Sequence, residues 1–391
     1  MTRDTRSSSA GSMNAPLTLK RVETRGDRKA FVDFAWEVYR DDPHWIPPLK
    51  SEVHGLLDPK VNPWFEHGRL EAWLALRGDR VVGRVTAQVD DLVQQHMQPG
   101  TGQWGMFEAT EPEAAAALIA KAEEWLRDQG MTRALGPISI SIWDEPGLLI
   151  EGFEESPMVM MGHHRPEYRG WIEGAGYAKA KDLHTFSLDI RIDMIPVIER
   201  LIKAGEKSDR IVIRDVDKSN FDKEAAIILN ILNDAWSDNW GFIPLTDAEI
   251  AFGAKKLKPI IVEDLVKIAE LDGRPVAFML TIPDVNEMIA DLDGRLFPFG
   301  WAKLLWRLRD PKTKRVRVPL MGVVKELQGG RVASQLAFMM IEFTRRVCVD
   351  KYGINFGEFG WVLEDNQGMM SIAQLPGAET NHTYRVYEKA L

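Results

Sequence analysis

Between residues 31 and 39 the apolar positions Phe31, Phe34, Ala35, Val38 and Tyr39 recur three and four apart, the spacing of a helix with one buried stripe. Two alternating runs follow, 72–76 and 81–89, separated by Gly78-Asp79, and predict a hairpin. Much later a second helical pattern, Ile227, Ile228, Ile231, Leu232 and Trp236, precedes runs at 265–271 and 275–282 that turn at Asp272-Gly273, the stronger hairpin signal. After the two helices, Trp45-Ile46-Pro47-Pro48-Leu49 matches Phe242-Ile243-Pro244-Leu245. Residues 171–177 lead into a strand near His184-Thr185-Phe186, and residues 372–378 lead into Tyr384-Arg385-Val386-Tyr387. These co-linear matches lie roughly 200 residues apart, the mark of an internal duplication. Each half reads helix, hairpin, strand, helix, strand, helix, strand. That order predicts an α/β (α+β) fold of two tandem domains with mixed, largely antiparallel sheets and a parallel crossover. The division falls at Asp193: a disordered tail over 1–15, an N-terminal domain over 16–192 and a C-terminal domain over 193–391.

Composition narrows the function classes. The 391 residues are 45% hydrophobic and 27% charged, the balance of a soluble globular protein, and the net charge of -9 disfavours a nucleic-acid partner. The single cysteine, Cys348, excludes an intrachain disulfide and, within Val347-Cys348-Val349, reads as a buried, inert thiol. No apolar run approaches the roughly 18 residues of a membrane span, and residues 1–15 hold no hydrophobic signal core. A cytoplasmic protein is expected, with peripheral attachment to an anionic inner membrane left open.

The strongest local chemistry lies in the second half. The strand 316–324 runs through Lys325-Glu326-Leu327 into Gln328-Gly329-Gly330-Arg331-Val332-Ala333, and a helix follows with apolar Val332, Leu336, Met339, Met340, Phe343 and Val347. A glycine-bearing turn at a helix N-terminus presents free backbone N–H groups and a positive dipole end to a diphosphate. The first half passes from Trp104-Gly105-Met106-Phe107-Glu108 straight into its helix, with no such loop.

This arrangement resembles the pyrophosphate loop of the GCN5-related N-acetyltransferase (GNAT) superfamily, Gln/Arg-x-x-Gly-x-Gly/Ala, with Arg331 where the central glycine is usual. The block 136–153, with 158–166 and Lys181-Asp182-Leu183-His184-Thr185, further resembles a bacterial family of duplicated acyltransferases that includes bacterial ceramide synthases. The similarity runs from about Leu17 to Leu391. It implies an acyl-CoA-dependent N-acyltransferase that moves a fatty acyl group to the amine of a sphingoid base, sphinganine or 3-ketosphinganine. Acyl-CoA would be a co-substrate, with no tightly bound cofactor and no metal. Transfer to another small amine or amino acid remains open, as does a non-catalytic lipid-binding scaffold with Arg331 as the mark of a decayed loop.

The resemblance implies contacts to coenzyme A from Val323, Val324, Gln328, Gly329, Gly330, Arg331, Val332 and Ala333. An alkyl ammonium must lose a proton before it attacks a thioester, so a base is needed. Glu364, after the next strand, ranks first and Asp365 second, although either carboxylate also suits the cap of the helix beginning near Asn366. Tyr384 is the candidate acid for the departing thiolate. Asp144, Glu145, His163 and His184 cluster in the most family-specific stretches and are expected to line the acceptor site; the adjacent pair His163-His164 lacks the spaced partners of a metal site.

Finally, the long connection 284–315 carries Phe297, Trp301, Leu304, Leu305 and Leu308 at helical spacing. Seven cations and the single acid Asp310 fall between Lys303 and Arg317. A lid over an acyl tunnel, with Trp301 against the lipid, and a patch for anionic headgroups are both open, beside a plain surface helix.

Overall fold

The computed structural model describes residues 15–309, 311–374 and 377–391. The expected tail, apart from Ala15, lies outside the described residues, as do Asp310 and the Leu375-Pro376 pair of the second repeat. The chain forms two compact units that each draw on both halves of the sequence. One takes in residues up to 156, 162–182 and 384–391; the other takes in 157–161 and 183–383. The proposed boundary at Asp193 separates repeats in sequence, whereas the compact units exchange strand ends.

In the first unit, strands β1 (Leu17–Arg21), β2 (Gly68–Arg77), β3 (Arg80–Asp90), β4 (Thr101–Ala109) and β5 (Arg133–Gly136) lie side by side in that order. All pair antiparallel except β4 with β5, which run parallel from Thr101↔Arg133 to Gln103↔Leu135. The alternation read in the sequence puts Trp73, Ala75, Val82 and Val85 into one core, onto which the helix Pro112–Asp128 packs Leu118, Ile119, Ala122 and Leu126. Short strands β6 (Ile138–Ser139), β7 (Glu145–Pro146) and β8 (Leu148–Glu151) follow, then the long strand β9 (Ala178–Asp189), whose first five residues stay in this unit.

The second unit repeats the order with β10 (Ile211–Asp215), β11 (Lys267–Leu271), β12 (Arg274–Pro283), β13 (Arg315–Val323), β14 (Phe356–Leu363) and β15 (Glu379–Ala390). Its sheet runs from residues 183–189 of β9 through β14, β13, β12 and β11 to β10. Asp272 and Gly273 both take left-handed conformations, φ +52° and +78°, at the tight β11–β12 turn. Among the described residues the parallel pair of this sheet, β13 with β14, is linked by the helix Arg331–Arg346, which buries Leu336, Ala337, Met339 and Met340. Each sheet is thus mixed and largely antiparallel. The end of β15 returns to the first unit, where Tyr387 to Ala390 pair with β5. Cys348 is buried, and burial pushes its thiol pKa up to about 12. No helix among the described residues is long and apolar enough to cross a membrane.

Candidate functional site

In the second unit the β13–β14 ladder starts at Arg315↔Phe356 and ends at Val318↔Phe359, although both strands continue. Two residues explain the parting. Pro319 has no N–H to donate, and it sits where the β12–β13 register slips between Ile282↔Arg317 and Leu280↔Leu320. Opposite it, Gly360 adopts φ +140°, and a Cβ there would stand 3.0 Å from the His184 carbonyl oxygen. The strands therefore splay around a cleft of about 410 Å³, counting space open to solvent, walled by Trp236, Pro319, Met321, Phe359, Trp361 and Asn366. Trp236 donates its Nε1–H to the Met321 carbonyl at 3.0 Å, and its ring centroid lies 6.0 Å from that of Trp361.

A buried polar network underlies the splay, and sequence reasoning missed it. The parallel register sets Arg317 beside Glu358; each is 1% exposed, with Nε and Oε1 3.7 Å apart. Arg317 also donates to the carbonyls of Val159 and, at 2.8 Å, Gly360. The second contact fixes the carbonyl of the residue at which β14 bends away. Asn381 donates to Glu358 Oε2 at 2.9 Å and accepts from Thr185 at 2.7 Å. The signal lay in charged residues inside apolar strands, Val316-Arg317-Val318 and Phe356-Gly357-Glu358-Phe359, but the register joining them did not.

At the far end of β13 the chain enters the glycine loop. Gln328 turns back, its Nε2 donating to Val323 O at 2.8 Å and Ala235 O at 3.1 Å, so this side chain braces the loop from behind. Val324 N–H is spent on Val276 O. Gly329 is left-handed, φ +73°, and Gly330 caps the helix with no side-chain hydrogen bond. The first turn carries no acid, and Arg331 is exposed, with no ion pair among the described residues. The N–H groups of Arg331, Val332 and Ala333 lie in the first turn, which an α-helix leaves without internal partners.

Glu364 follows the cleft residue Leu363 directly and is half-buried; Asp365 is exposed. At the start of the helix that follows, Asn366 Oδ1 accepts from Met369 N–H at 3.1 Å, a capping bond. His184, opposite Val362 across β9 and β14, approaches Thr383 Oγ1 through Nδ1 at 3.2 Å. Trp301 is exposed on the helix Gly300–Arg309, its Nε1–H donated to Pro298 O. The loop residues, Glu364, Asp365, His184 and Trp301 thus fall in the second unit.

Tyr384, Asp144, Glu145 and His163 fall in the first. Tyr384 is fully buried and donates its hydroxyl to Gly162 O at 3.0 Å. Asp144 accepts from Ser141 at 2.7 Å. His163 Nε2 lies 2.8 Å from Asp42, whereas His164 accepts the Leu149 N–H on Nδ1 and brings Nε2 to 3.6 Å from Glu145, so the adjacent imidazoles serve different partners. Burial holds the His163 pKa below its ordinary value despite Asp42. Also unforeseen is Glu108, buried on β4, which takes hydroxyls from Tyr39 at 2.8 Å and Tyr168 at 2.7 Å; burial raises its pKa.

The region beside β4 is occupied by the unit's own chain. A Cβ at Gly105 would overlap the Ile138 carbonyl at 2.1 Å, and Met106 N–H bonds Ser139 Oγ at 3.1 Å. The helix that follows opens on Glu111, Pro112 and Glu113, with Arg77 bonded to both carboxylates.

No family model matches the sequence. The described geometry nonetheless has solved counterparts. A tandem GNAT protein from the clavulanic acid biosynthesis pathway superposes with a TM-score of 0.55 at 13% identity, covering 96% of this chain and 98% of its own. A GCN5-related N-acetyltransferase from Sphaerobacter thermophilus gives 0.53 at 13% identity, over 96% and 97%. At that identity the likeness establishes the fold. Two curated proteins are far closer in sequence: the bacterial ceramide synthase of Caulobacter vibrioides is 44% identical over 97% of this chain and 99% of its own, and protein YghO of Escherichia coli is 41% identical over 94% of each. With such identity along nearly the whole of both chains, the protein belongs to the family that contains the bacterial ceramide synthase of Caulobacter vibrioides and protein YghO, on the fold of the tandem GNAT proteins.

Proposed function

We propose that the chain transfers a fatty acyl group from acyl-CoA to the amine of a sphingoid base, and that the second unit carries the chemistry. The observation that supports this most is the open splay between β13 and β14, at the same end of β13 as an uncapped, glycine-led helix. The amides of residues 331–333 and the Arg331 guanidinium suit the diphosphate of coenzyme A. The thioester would then lie along β13 toward the apolar cleft. Each methylene removed from water contributes about 0.8 kcal/mol, so a long chain adds more than a few polar contacts.

The amine nitrogen attacks the thioester carbon, the C–S bond breaks and the thiolate departs. The nitrogen sheds one proton before attack and a second as the amide forms. Glu364, at the mouth of the cleft, is our candidate base, with Asp365 behind it. A backbone N–H near Val323 is the candidate oxyanion donor. Tyr384 remains the candidate acid for the thiolate only if its hydroxyl leaves Gly162. Asp144, Glu145 and His163 are held for the acceptor lipid, which the protein would meet from the cytoplasmic side of an anionic inner membrane.

The test is incubation of the purified protein with a panel of acyl-CoAs and amines, read by mass spectrometry. Long-chain amides of sphinganine or 3-ketosphinganine are expected. Products formed only from small amines would overturn the lipid assignment. Glu364→Gln should lower the rate by about a hundredfold or more and remove the acidic limb of the pH profile; an unchanged profile would dismiss this base.

A further inference from the structure

In the connection between β12 and β13, the stretch 297–306 turns its aromatic side chains outward. Phe297, Phe299 and Trp306 are 86%, 78% and 71% exposed, and Trp301 and Leu305 are exposed beside them. Among the described residues the only other exposed aromatic side chain is Phe356. Cations tie the helix Gly300–Arg309 to its own unit: Lys303 and Arg307 both bond Asp291, and Arg307 also donates to Met288 O. A surface helix of a water-soluble domain does the reverse. Next to the aromatics, Trp306, Arg307, Arg309, Lys312 and Thr313 help line a pocket of about 930 Å³, counting space open to solvent. Thr313 is 3% exposed, and its hydroxyl has no hydrogen-bond partner among the described residues. Among the described residues the one acid in that wall, Glu287, is held by Arg315 at 3.1 Å and by the Lys314 N–H at 2.8 Å.

We propose that this surface docks on an anionic lipid bilayer, with Phe299 and Trp306 entering the interfacial layer and the basic pocket receiving a headgroup phosphate. Aromatic side chains flanked by arginine and lysine match the two layers of such a surface, apolar beneath and negative above. A second copy of this chain fits less well, because a self-complementary interface would set these cations against their own counterparts. The segment joins β13 at Arg315. Eight residues at about 3.3 Å each place that point roughly 26 Å along the strand from Val323. Docking there would leave the glycine loop open to water-borne coenzyme A. The proposal rests on the acyl-transfer reading for its purpose only, since binding is measured without catalysis.

The experiment is co-sedimentation of the full chain with vesicles of phosphatidylcholine alone or with phosphatidylglycerol, without acyl-CoA. The chain should pellet with the anionic vesicles, less so at high salt. Arg309→Glu with Lys312→Glu should weaken this on the order of thirtyfold, and Phe299→Ser with Trp306→Ser at least about tenfold. Both variants should keep the wild-type far-UV circular dichroism spectrum and urea midpoint, which separates lost docking from a lost fold. Wild-type protein that stays in solution with anionic vesicles, or variants that bind as well as wild type, would overturn the proposal. So would a dimer that Phe299→Ser with Trp306→Ser turns into monomers, because the aromatics would then cover a second copy.

Discussion

Two helices hold the same place in the two repeats and begin in opposite ways. The Pro112 helix starts with Glu111, Pro112 and Glu113, so its dipole end already faces two carboxylates, one amide is missing, and Arg77 neutralises the acids. The Arg331 helix starts with Gly329, Gly330 and Arg331, no acid and no side-chain cap. A diphosphate would meet carboxylates at one start and donors at the other. The neighbouring strands differ in parallel: Ile138 and Ser139 pack directly on β4, whereas the corresponding parting beside β13 is a cleft. On the proposed reading, a duplicated fold keeps its core in both copies while a few residues at one helix end decide which copy holds a nucleotide-like anion.

The comparison breaks most readily at Gly330. Gly330→Glu gives the second helix the carboxylate of the first, and like-charge opposition of this kind costs several kcal/mol. Coenzyme A affinity, measured by calorimetry, should fall on the order of a thousandfold, while Glu111→Gln with Glu113→Gln should leave it unchanged. Equal losses in both variants would mean that both helices bind. Next in size is the network beneath the cleft. Arg317→Met strands Glu358 without its cation in a fully buried site, and about 3–5 kcal/mol of unfolding free energy should be lost in urea denaturation. Adding Glu358→Gln should return part of it. A single substitution that cost nothing would show that water reaches the pair.

How far the sequence carried these features depended on the range of the interactions. The Asp272-Gly273 turn and the Arg331 helix were legible because turn conformation and a three-four apolar spacing are local. The acidic start of the Pro112 helix is equally local, since Glu111 and Glu113 stand in the sequence where the second repeat has its glycines. The Arg317–Glu358 pair was not legible at all: it exists only through a parallel register across the Arg331 helix. The exchange of strand ends likewise depends on pairing, as β15 shows where Tyr387 meets Gly136. Chemistry set by position along the chain was recoverable, and chemistry set by register was not.

A smaller effect sharpens the contrast at Arg331. If its guanidinium adds a charged contact to the diphosphate, Arg331→Ala should weaken coenzyme A about tenfold, with Arg331→Lys between, and the loss should shrink as salt rises. An unchanged affinity would leave the backbone amides as the sole grip, as in the usual form of the loop with glycine at this position.

The smallest effect separates the units by pH. In the second, Asp284 is fully buried, and burial outweighs Arg315 to raise its pKa to about 6. Its folded form holds a proton more tightly than the unfolded chain, so lowering the pH from 7 to 5 should stabilise this unit by about 1 kcal/mol. In the first unit His163 has the opposite sign. Burial lowers its pKa, so the unfolded chain takes up a proton before the folded one does, and stability drains away as the pH falls through the ordinary histidine range. Hydrogen exchange should therefore show protection rising around β12 and β13 and falling around residues 162–168 on acidification. Asp284→Asn should abolish the first trend and His163→Gln the second. Parallel trends in both regions would mean that other groups govern the acid response and that the buried Asp284 and His163 do not set the two units apart.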